Sequence, residues 1–424
     1  MLTPDALEVV MVSLEGPDQY SQAGGLGVRA RELCRALAAA GYRTTLVFAG
    51  DPAKPGEELD EGVHLVRWAQ HVSARHPSGV YAGEEEKIAD LEASLPAHLV
   101  RGVVAPAAAR GAAVAVLCEE WQTAGLCVDL SRRLELAGLR DRCVLVWNAN
   151  NHFGFDRIEW RRLEAAAAIT TVSRYMKHLM WSVGVNATVI PNGVPESAFA
   201  AIDRAAVTTL RRAAGPCLAV KIGRFSADKR WLQAIDAISR LRAQGTPARM
   251  LIRGGIEPYG GEVLTRAAAL DLDVLSWDRP VRSAADLATA LRAGAQPLIN
   301  LRTFLPDAVI PVMYAAATGV LANSGHEPFG LVGLEAMAAG AVAFVGATGE
   351  DYARPYVNSI VIESDDPAEV AGSLQALVDR PALGAGIRKR ARRDAAEFAW
   401  PLVVDGLMER LDYVAAHQGV GSQR

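Results

Sequence analysis

Two acids, Glu327 and Glu335, lie eight residues apart in HEPFGLVGLEAMAAG, on either side of a Pro-Phe-Gly break. Pro328 and Gly330 end the preceding extended stretch. GLVGLEAMAA then begins a helix whose free N–H groups and dipole favour an anion such as a phosphate. Glu335 falls more than one turn inside that helix, where a carboxylate accepts two hydroxyl hydrogens side by side and suits a ribose diol. Glu327, on the loop, is placed for a second hydroxyl-rich group. The plain alternative is a Glu327 that caps the helix and a Glu335 on a solvated face, but Leu334, Ala336 and Met337 surround Glu335 with apolar neighbours.

A second stretch, KIGRFSADKR, carries Arg224 on a loop and Lys229 at the first turn of the next helix. A guanidinium and an ammonium so placed clamp a diphosphate from two sides. In SQAGGLGVRA, Gly24, Gly25 and Gly27 permit close backbone approach, and the helix that follows again offers N–H groups. A dinucleotide-binding fingerprint needs its glycines in the first tight turn after a strand, whereas EGPDQYSQA intervenes here and the third glycine position is unfilled. Two further loops, CEEWQTAG and WNANNHFGFD, gather Glu119, Glu120, Trp121, Asn148, Asn150, Asn151, His152 and Asp156. Carboxylates, amides and an aromatic platform together suit a polyhydroxylated ligand.

These motifs follow short apolar runs, and the runs define the fold. EVVMVSL, TTLVFAG, VAVLC, VLVW, ITTVS and TVIPNG form a first series, and CLAVKIG, RMLIRGG, LDVLSW, PLINL, GVLANS, AVAFVG and SIVIES a second. Continuous rather than alternating apolar character means that both sheet faces are covered, and with intervening helical patterns this implies α/β architecture with doubly wound parallel sheets. Ala30, Leu33, Cys34 and Leu37 mark one such helix, opposite the polar Arg31, Glu32 and Arg35. Thirteen strands exceed one comfortable open sheet. They divide near IPNGVPESAF (190–199), which reads as a hinge between two Rossmann-like domains, 1–195 and 196–400. The helical stretch 401–417 is expected to pack back on the first domain, and GVGSQR to form a loose tail.

At 424 residues the chain supports two or three domains, and its net charge of −4 supplies no global basic field for nucleic acid or anionic lipid. The five cysteines form no CxxC pair and no metal-ligand spacing, which suits a reducing cytosol without structural zinc. MLTPDALEVV lacks the features of a signal peptide, and no run is long enough to span a bilayer. LVRGVVAPAAAR (99–110) reads as a buried Ala-rich helix, with peripheral membrane contact as its alternative.

In the order GGLG, EEWQTA, ITTVSRYM with VIPNGV, GRFSADK and EPFGLVGLE, the chain resembles retaining GT-B glycosyltransferases of the glycogen-synthase and family 4 type over nearly its whole length. The resemblance implies two Rossmann-like domains facing across a cleft, and a cytoplasmic enzyme moving a hexose from a nucleoside-diphosphate sugar to an acceptor hydroxyl with retention. It further implies that Arg224 and Lys229 hold the diphosphate and Glu335 the ribose. Glu327 would hold the transferred sugar or its phosphate, together with the Phe329, Gly330 and Leu331 backbone. Gly24, Gly25 and Gly27 would approach the donor from the first domain, and Glu120, Trp121 and Asn148 would serve the acceptor. No resident cofactor and no metal are implied.

Two departures stand out. Where the family has a histidine in T-x-H-N, this chain offers Asn150, with His152 two residues later, so either residue is a candidate to stand beside the reacting sugar. The family lysine before the glycines is Gln22, and its His-Asp-Trp is Glu119-Glu120-Trp121, which argues for an acceptor other than glycogen. A nucleotide-sugar 2-epimerase and a non-catalytic nucleotide-sugar binder are the alternatives.

Overall fold

LEVVMV, apolar on both faces, forms the buried first strand of the structure, a computed structural model that describes residues 2–421. Chain contacts divide the molecule into two units. One comprises the residues up to Gly193 together with those from Ala399 onward, and the other is Val194–Phe398.

In the first unit, β1 (Leu7–Val12), β2 (Arg43–Ala49), β3 (Glu57–Asp60), β4 (Val63–Trp68), β5 (Ala113–Glu119), β6 (Cys143–Ala149), β7 (Ala168–Thr171) and β8 (Thr188–Val189) lie in the order β3-β4-β2-β1-β5-β6-β7-β8. All neighbours are parallel except β3, which runs antiparallel to β4. In the second unit, β9 (Cys217–Ile222), β10 (Ala248–Arg253), β11 (Val274–Trp277), β12 (Leu298–Leu301), β13 (Gly319–Ala322), β14 (Ala343–Val345) and β15 (Ile360–Val361) lie in the order β11-β12-β10-β9-β13-β14-β15, parallel throughout. Both sheets are doubly wound, as their apolar runs imply, and both units carry the Rossmann-like α/β layering of a GT-B fold.

Strand order reverses between β1 and β5 in the first unit and between β9 and β13 in the second. A crevice opens at such a switch point beyond the strands' carboxyl ends. The loops after these four strands are those bearing the glycine run, CEEWQTAG, GRFSADK and HEPFG.

The β3–β4 hairpin is absent from the thirteen apolar runs, for a physical reason. β4 alternates, VHLVRW, and β3 is EELD, almost wholly charged. An exposed antiparallel edge strand buries only one face, and charges on it discourage edge-to-edge pairing.

The stretch 99–110 forms a π-helical segment, Leu99–Val104, and a helix, Ala105–Ala109, with Leu99, Val100, Val104 and Ala107 buried and Arg101 and Arg110 exposed. Among the described residues no helix is long and apolar enough to cross a membrane.

Helix Trp400–His417 returns to the first unit, where Trp400, Val403, Val404, Leu407 and Leu411 pack with Leu7, Val9, Leu33 and Leu37. The carboxamide of Gln418 then accepts from the Leu145 N–H at 2.9 Å and donates to the Leu145 carbonyl at 2.8 Å. β7 pairs with β6 only from Val146 onward, so this side chain completes the ladder where the neighbouring strand has not yet begun. Of the expected loose tail, Val420 is buried in the core and the Gly421 N–H donates to the Asp141 carbonyl at 3.2 Å. Those residues are therefore anchored, and 422–424 lie outside the described residues. Gln418→Ala should lower unfolding stability by about 1–3 kcal/mol, since it strips partners from two backbone groups inside the sheet. Urea titration followed by circular dichroism checks this.

Candidate functional site

The second unit gathers its chemistry at the switch point. After β9 the chain turns through Gly223, at φ 151°, and exposes Arg224. Lys229 ends a short 3-10 turn, Ala227–Lys229, one residue before helix Trp231–Ala243 rather than inside it. Its ammonium meets the Glu327 carboxylate at 2.5 Å. Glu327 thus aims Lys229, and does not cap the helix.

The Glu327 loop is braced from behind. Its N–H donates to the Thr348 hydroxyl at 2.9 Å, and its carbonyl accepts from the Gly349 N–H at 2.9 Å. Gly330 starts helix Leu331–Ala338 at φ 83°, and a side chain there would collide with Glu350 and the Tyr352 hydroxyl. Phe329 is buried against Tyr352 and Phe398, so only its backbone faces a ligand. Among the described residues, the Phe329 and Gly330 N–H groups make no backbone hydrogen bond, which leaves the helix start open to an anion.

Glu335 lies in this helix with no hydrogen-bond partner for its carboxylate among the described residues, and burial, helped by Asp307, pushes that carboxyl up to about 7. Glu350 is raised to about 7 by burial and by Glu327, although the Gly346 and Thr348 N–H groups donate to it. Beyond the end of β9, a cavity of about 230 Å³ is lined by Ile222, Gly223, Arg224, Arg253, Leu305 and Ile310, with the exposed Phe304 at its side.

Lys221, in the strand itself, was not among the expected site residues. It is buried, donates to the Asn323 carboxamide at 2.6 Å and to the Leu321 carbonyl at 3.0 Å, and is pushed down to about 7 by burial and by Lys229. Asn323 in turn donates to Gln233 at 2.7 Å. The only signal in the sequence is a lysine inside an otherwise apolar strand, CLAVKI.

In the first unit, the glycine run differs from expectation. The Glu15 carboxylate accepts from the N–H groups of Ala23, Gly24 and Gly27 at 3.1, 2.9 and 3.0 Å. The start of helix Gly25–Ala39 is therefore occupied by the protein's own anion, so two of the three expected donor-approach glycines have their N–H groups committed inside the unit. Gly27 is required because a side chain there would press on the Gly16 carbonyl and on Glu15 itself. Glu15 also accepts from the Tyr81 hydroxyl at 2.6 Å, which with burial raises the Tyr81 hydroxyl. The sequence gives a faint sign of Glu15, an acid at the end of the apolar run.

At the ends of β5 and β6, Asn150 bridges two carboxylates. Its N–H donates to Glu120 at 2.6 Å and its side-chain amide to Glu119 at 2.6 Å. Glu119 also takes the Asn148 amide at 2.9 Å and pairs with Arg29 at 3.3 Å. The Asn148 oxygen accepts from Thr170 at 2.9 Å, so this expected acceptor contact is spent inside the protein and Asn148 acts by holding Glu119. Glu120, at φ 67°, is buried and pushed up to about 8, chiefly by burial and also by Glu119. Trp121 lies under the Arg157 guanidinium at 4.0 Å from its ring, with Gly154 so close that no side chain fits there. His152 is exposed and stacks on Phe153. Among the described residues no group of three or more His, Cys, Asp or Glu is arranged to hold a metal ion.

Residues 209–394 match the family model for glycosyl transferases group 1. A D-inositol 3-phosphate glycosyltransferase of Salinispora arenicola is 31% identical over 211 residues, 45% of this chain and 47% of that protein. One from Catenulispora acidiphila is 36% identical over 124 residues, 29% of each. The chain thus spans half or less of the length of these relatives. Among solved structures, sucrose-phosphate synthase from Thermosynechococcus elongatus aligns with TM-score 0.70 at 18% identity, over 97% of this chain and 100% of that one. An Anabaena protein solved with UDP and glucose aligns with TM-score 0.63 at 15% identity, over 96% and 99%.

Burial of Glu335 makes a pH prediction. A carboxyl raised to about 7 when folded binds more protons folded than unfolded, so its contribution to stability is present below pH 4.5 and is lost as pH rises through about 7. Glu335→Gln should therefore raise the unfolding midpoint relative to wild type at pH 8 and leave it nearly unchanged at pH 4.5, as read by thermal denaturation at both values.

Proposed function

We propose that this protein is a retaining hexosyltransferase of family 4 character that uses a nucleoside-diphosphate sugar and an acceptor hydroxyl. The observation that carries the proposal is the convergence at one switch point of exposed Arg224, the Lys229–Glu327 pair, an open helix start and the unpartnered Glu335. In this reading the diphosphate is held by Arg224, Lys229 and the Phe329–Leu331 backbone. The ribose diol lies on Glu335, and the base enters the cavity beside Arg253 and Phe304. The likeness to an Anabaena protein solved with UDP and glucose, and to inositol-phosphate glycosyltransferases, supports a nucleotide-sugar donor.

The chemistry then follows from charge. Breaking the C1–O bond places negative charge on the departing diphosphate and positive character on the sugar ring. Fixed cations and N–H groups already aimed at the diphosphate stabilise that change without reorganising. Lys229 is pre-aimed by Glu327, so little of its rotamer freedom is lost when donor binds. For retention, the acceptor oxygen attacks from the face the diphosphate leaves, and its proton passes to the departing phosphate oxygen.

A non-catalytic nucleotide-sugar binder is a second reading, favoured by the exposed His152 and the internally committed Asn150. Calorimetry with UDP-, GDP- and ADP-sugars tests the donor site, and product analysis separates transferase from sensor and from epimerase. No heat with any of these donors would overturn the proposal. Arg224→Ala and Lys229→Ala should each lower kcat/KM by about tenfold or more with the circular dichroism spectrum unchanged. Wild-type rates would remove those residues from their roles.

A further inference from the structure

Lys221 lies in β9, the central strand of the second sheet, at 2% exposure, and among the described residues it forms no ion pair with a carboxylate. Its Nζ donates to the Leu321 carbonyl at 3.0 Å and to the Asn323 side-chain oxygen at 2.6 Å, and it lies 5.2 Å from the centre of the Trp231 ring. The direction of these bonds is fixed. Asn323 donates its amide to Gln233 at 2.7 Å, and Gln233 donates its own to the Ser364 carbonyl at 2.8 Å, which can only accept. This chain of amides turns the Asn323 oxygen toward Lys221 and demands a donor there. An apolar side chain would pack in the same strand without the cost of burying an amine, so the sheet itself does not require a lysine.

The amine lies at the root of both loops of the donor site. Trp231, whose ring it faces, donates its indole N–H to the Arg224 carbonyl at 2.8 Å. From Asn323 the chain leads through Gly325, whose N–H donates to the Asp228 carbonyl at 2.7 Å, to Glu327. The charges acting on Lys221 come from the same two loops. Burial first, and then Lys229 and Arg230, disfavour its charge, whereas Glu327 and Asp228 favour it. Lys229 and Glu327 are paired and act in opposite senses, and the amine is left at about 7. A diphosphate set on these loops brings negative charge without a new cation, which favours the ammonium.

We propose that Lys221 is a third cation of the donor site, a positioning residue that secures the loops of Arg224 and Glu327 and takes a proton from solvent when a nucleotide sugar binds. This rests on the nucleotide-sugar reading above and adds a residue to it. The neutral amine plus one solvent proton becomes the ammonium, and no other bond changes. Binding is then tighter at low pH and weakens as pH rises past 7, because the bound state holds the proton more firmly than the free state. Glu335 and Glu350, each raised to about 7, act in the same sense, since their ionised forms repel an anion. Changing Lys221 alone isolates its share.

Calorimetry on the whole chain uses whichever of UDP-glucose, GDP-glucose and ADP-glucose binds, none of which has a phosphate group titrating near neutral pH. Titrations at pH 7.5 in HEPES and in Tris, whose heats of ionisation differ, count the protons taken up. Wild type should take up about half a proton per donor, and Lys221→Met, an apolar chain of similar shape, distinctly fewer. Lys221→Met should bind about tenfold more weakly than wild type at pH 6.5, and the difference should close at pH 9, where neither side chain is charged. Lys221→Gln, which keeps a donor for Asn323 but carries no charge, should follow the same profile. A lysine that only braces the loops would give a deficit equal at both pH values and restored by glutamine. Either of those results, equal proton counts in wild type and variants, no proton uptake by wild type, or loss of fold in both variants by circular dichroism overturns the inference. Absence of nucleotide-sugar binding by wild type removes the donor reading and this inference with it, whereas binding without the proton removes this inference alone.

Discussion

A helix start concentrates unpaired N–H groups and the positive end of a dipole at one point, and a parallel sheet sends such starts to the carboxyl ends of its strands. This protein uses that constraint in two ways. At Gly25 the protein's own Glu15 fills the position with three hydrogen bonds. At Leu331 the Phe329 and Gly330 N–H groups are without a backbone partner among the described residues, and the neighbouring Glu327 carboxylate is turned to Lys229 instead. One start is a finished structural joint and the other is the proposed anion site. The difference lies in where a single carboxylate points, and the rest of the proposed chemistry depends on it.

The price of the open arrangement is carboxylates held out of water. Glu335 and Glu350 rise to about 7 and Glu120 to about 8, chiefly through burial. A buried carboxylate without a cation destabilises the fold near neutral pH, and such groups gather at functional sites because ligand binding relieves them. Lys221 is the mirror case, an ammonium pushed down to about 7 beneath the same loops and steadied by Asn323. The large apolar cores, which include Phe48 and Trp400 in one unit and Trp231 and Phe344 in the other, supply the stability against which these groups are tolerated.

Much of this was legible in the residues themselves. Apolar runs flanked by helical periodicity place every parallel strand except β4, because a strand buried on both faces leaves no polar alternation to confuse the pattern. The β3–β4 hairpin escaped because edge strands obey a different rule, and Gln418 because a side chain that mimics a strand has no sequence signature. Glu327, Arg224 and Lys229 were visible because they sit on the helix-start loops themselves, and Glu335 because it interrupts an apolar helical run just after one. Glu15 and Tyr81 were not, since 66 residues separate them and only the topology brings them together. Lys221 was hidden by its own context, where a lysine in a strand reads as an edge or a snorkelling residue.

The exchange of a histidine for Asn150 follows from this same electrostatics. Asn150 stands between Glu119 and Glu120 and gives a hydrogen bond to each, one from its backbone and one from its side chain. An imidazole between two carboxylates would be held as imidazolium, adding a positive charge to that of the Arg29 guanidinium already paired with Glu119. An amide supplies the donor without the charge. It leaves Glu120 uncompensated, with its carboxyl raised, and leaves its own oxygen unmet. Replacing a cationic ring by a neutral amide thus changes what the cluster attracts while keeping its hydrogen bonds, so the departures at Gln22, Glu119 and Asn150 act in one direction. Each removes positive charge or adds negative charge in the first unit.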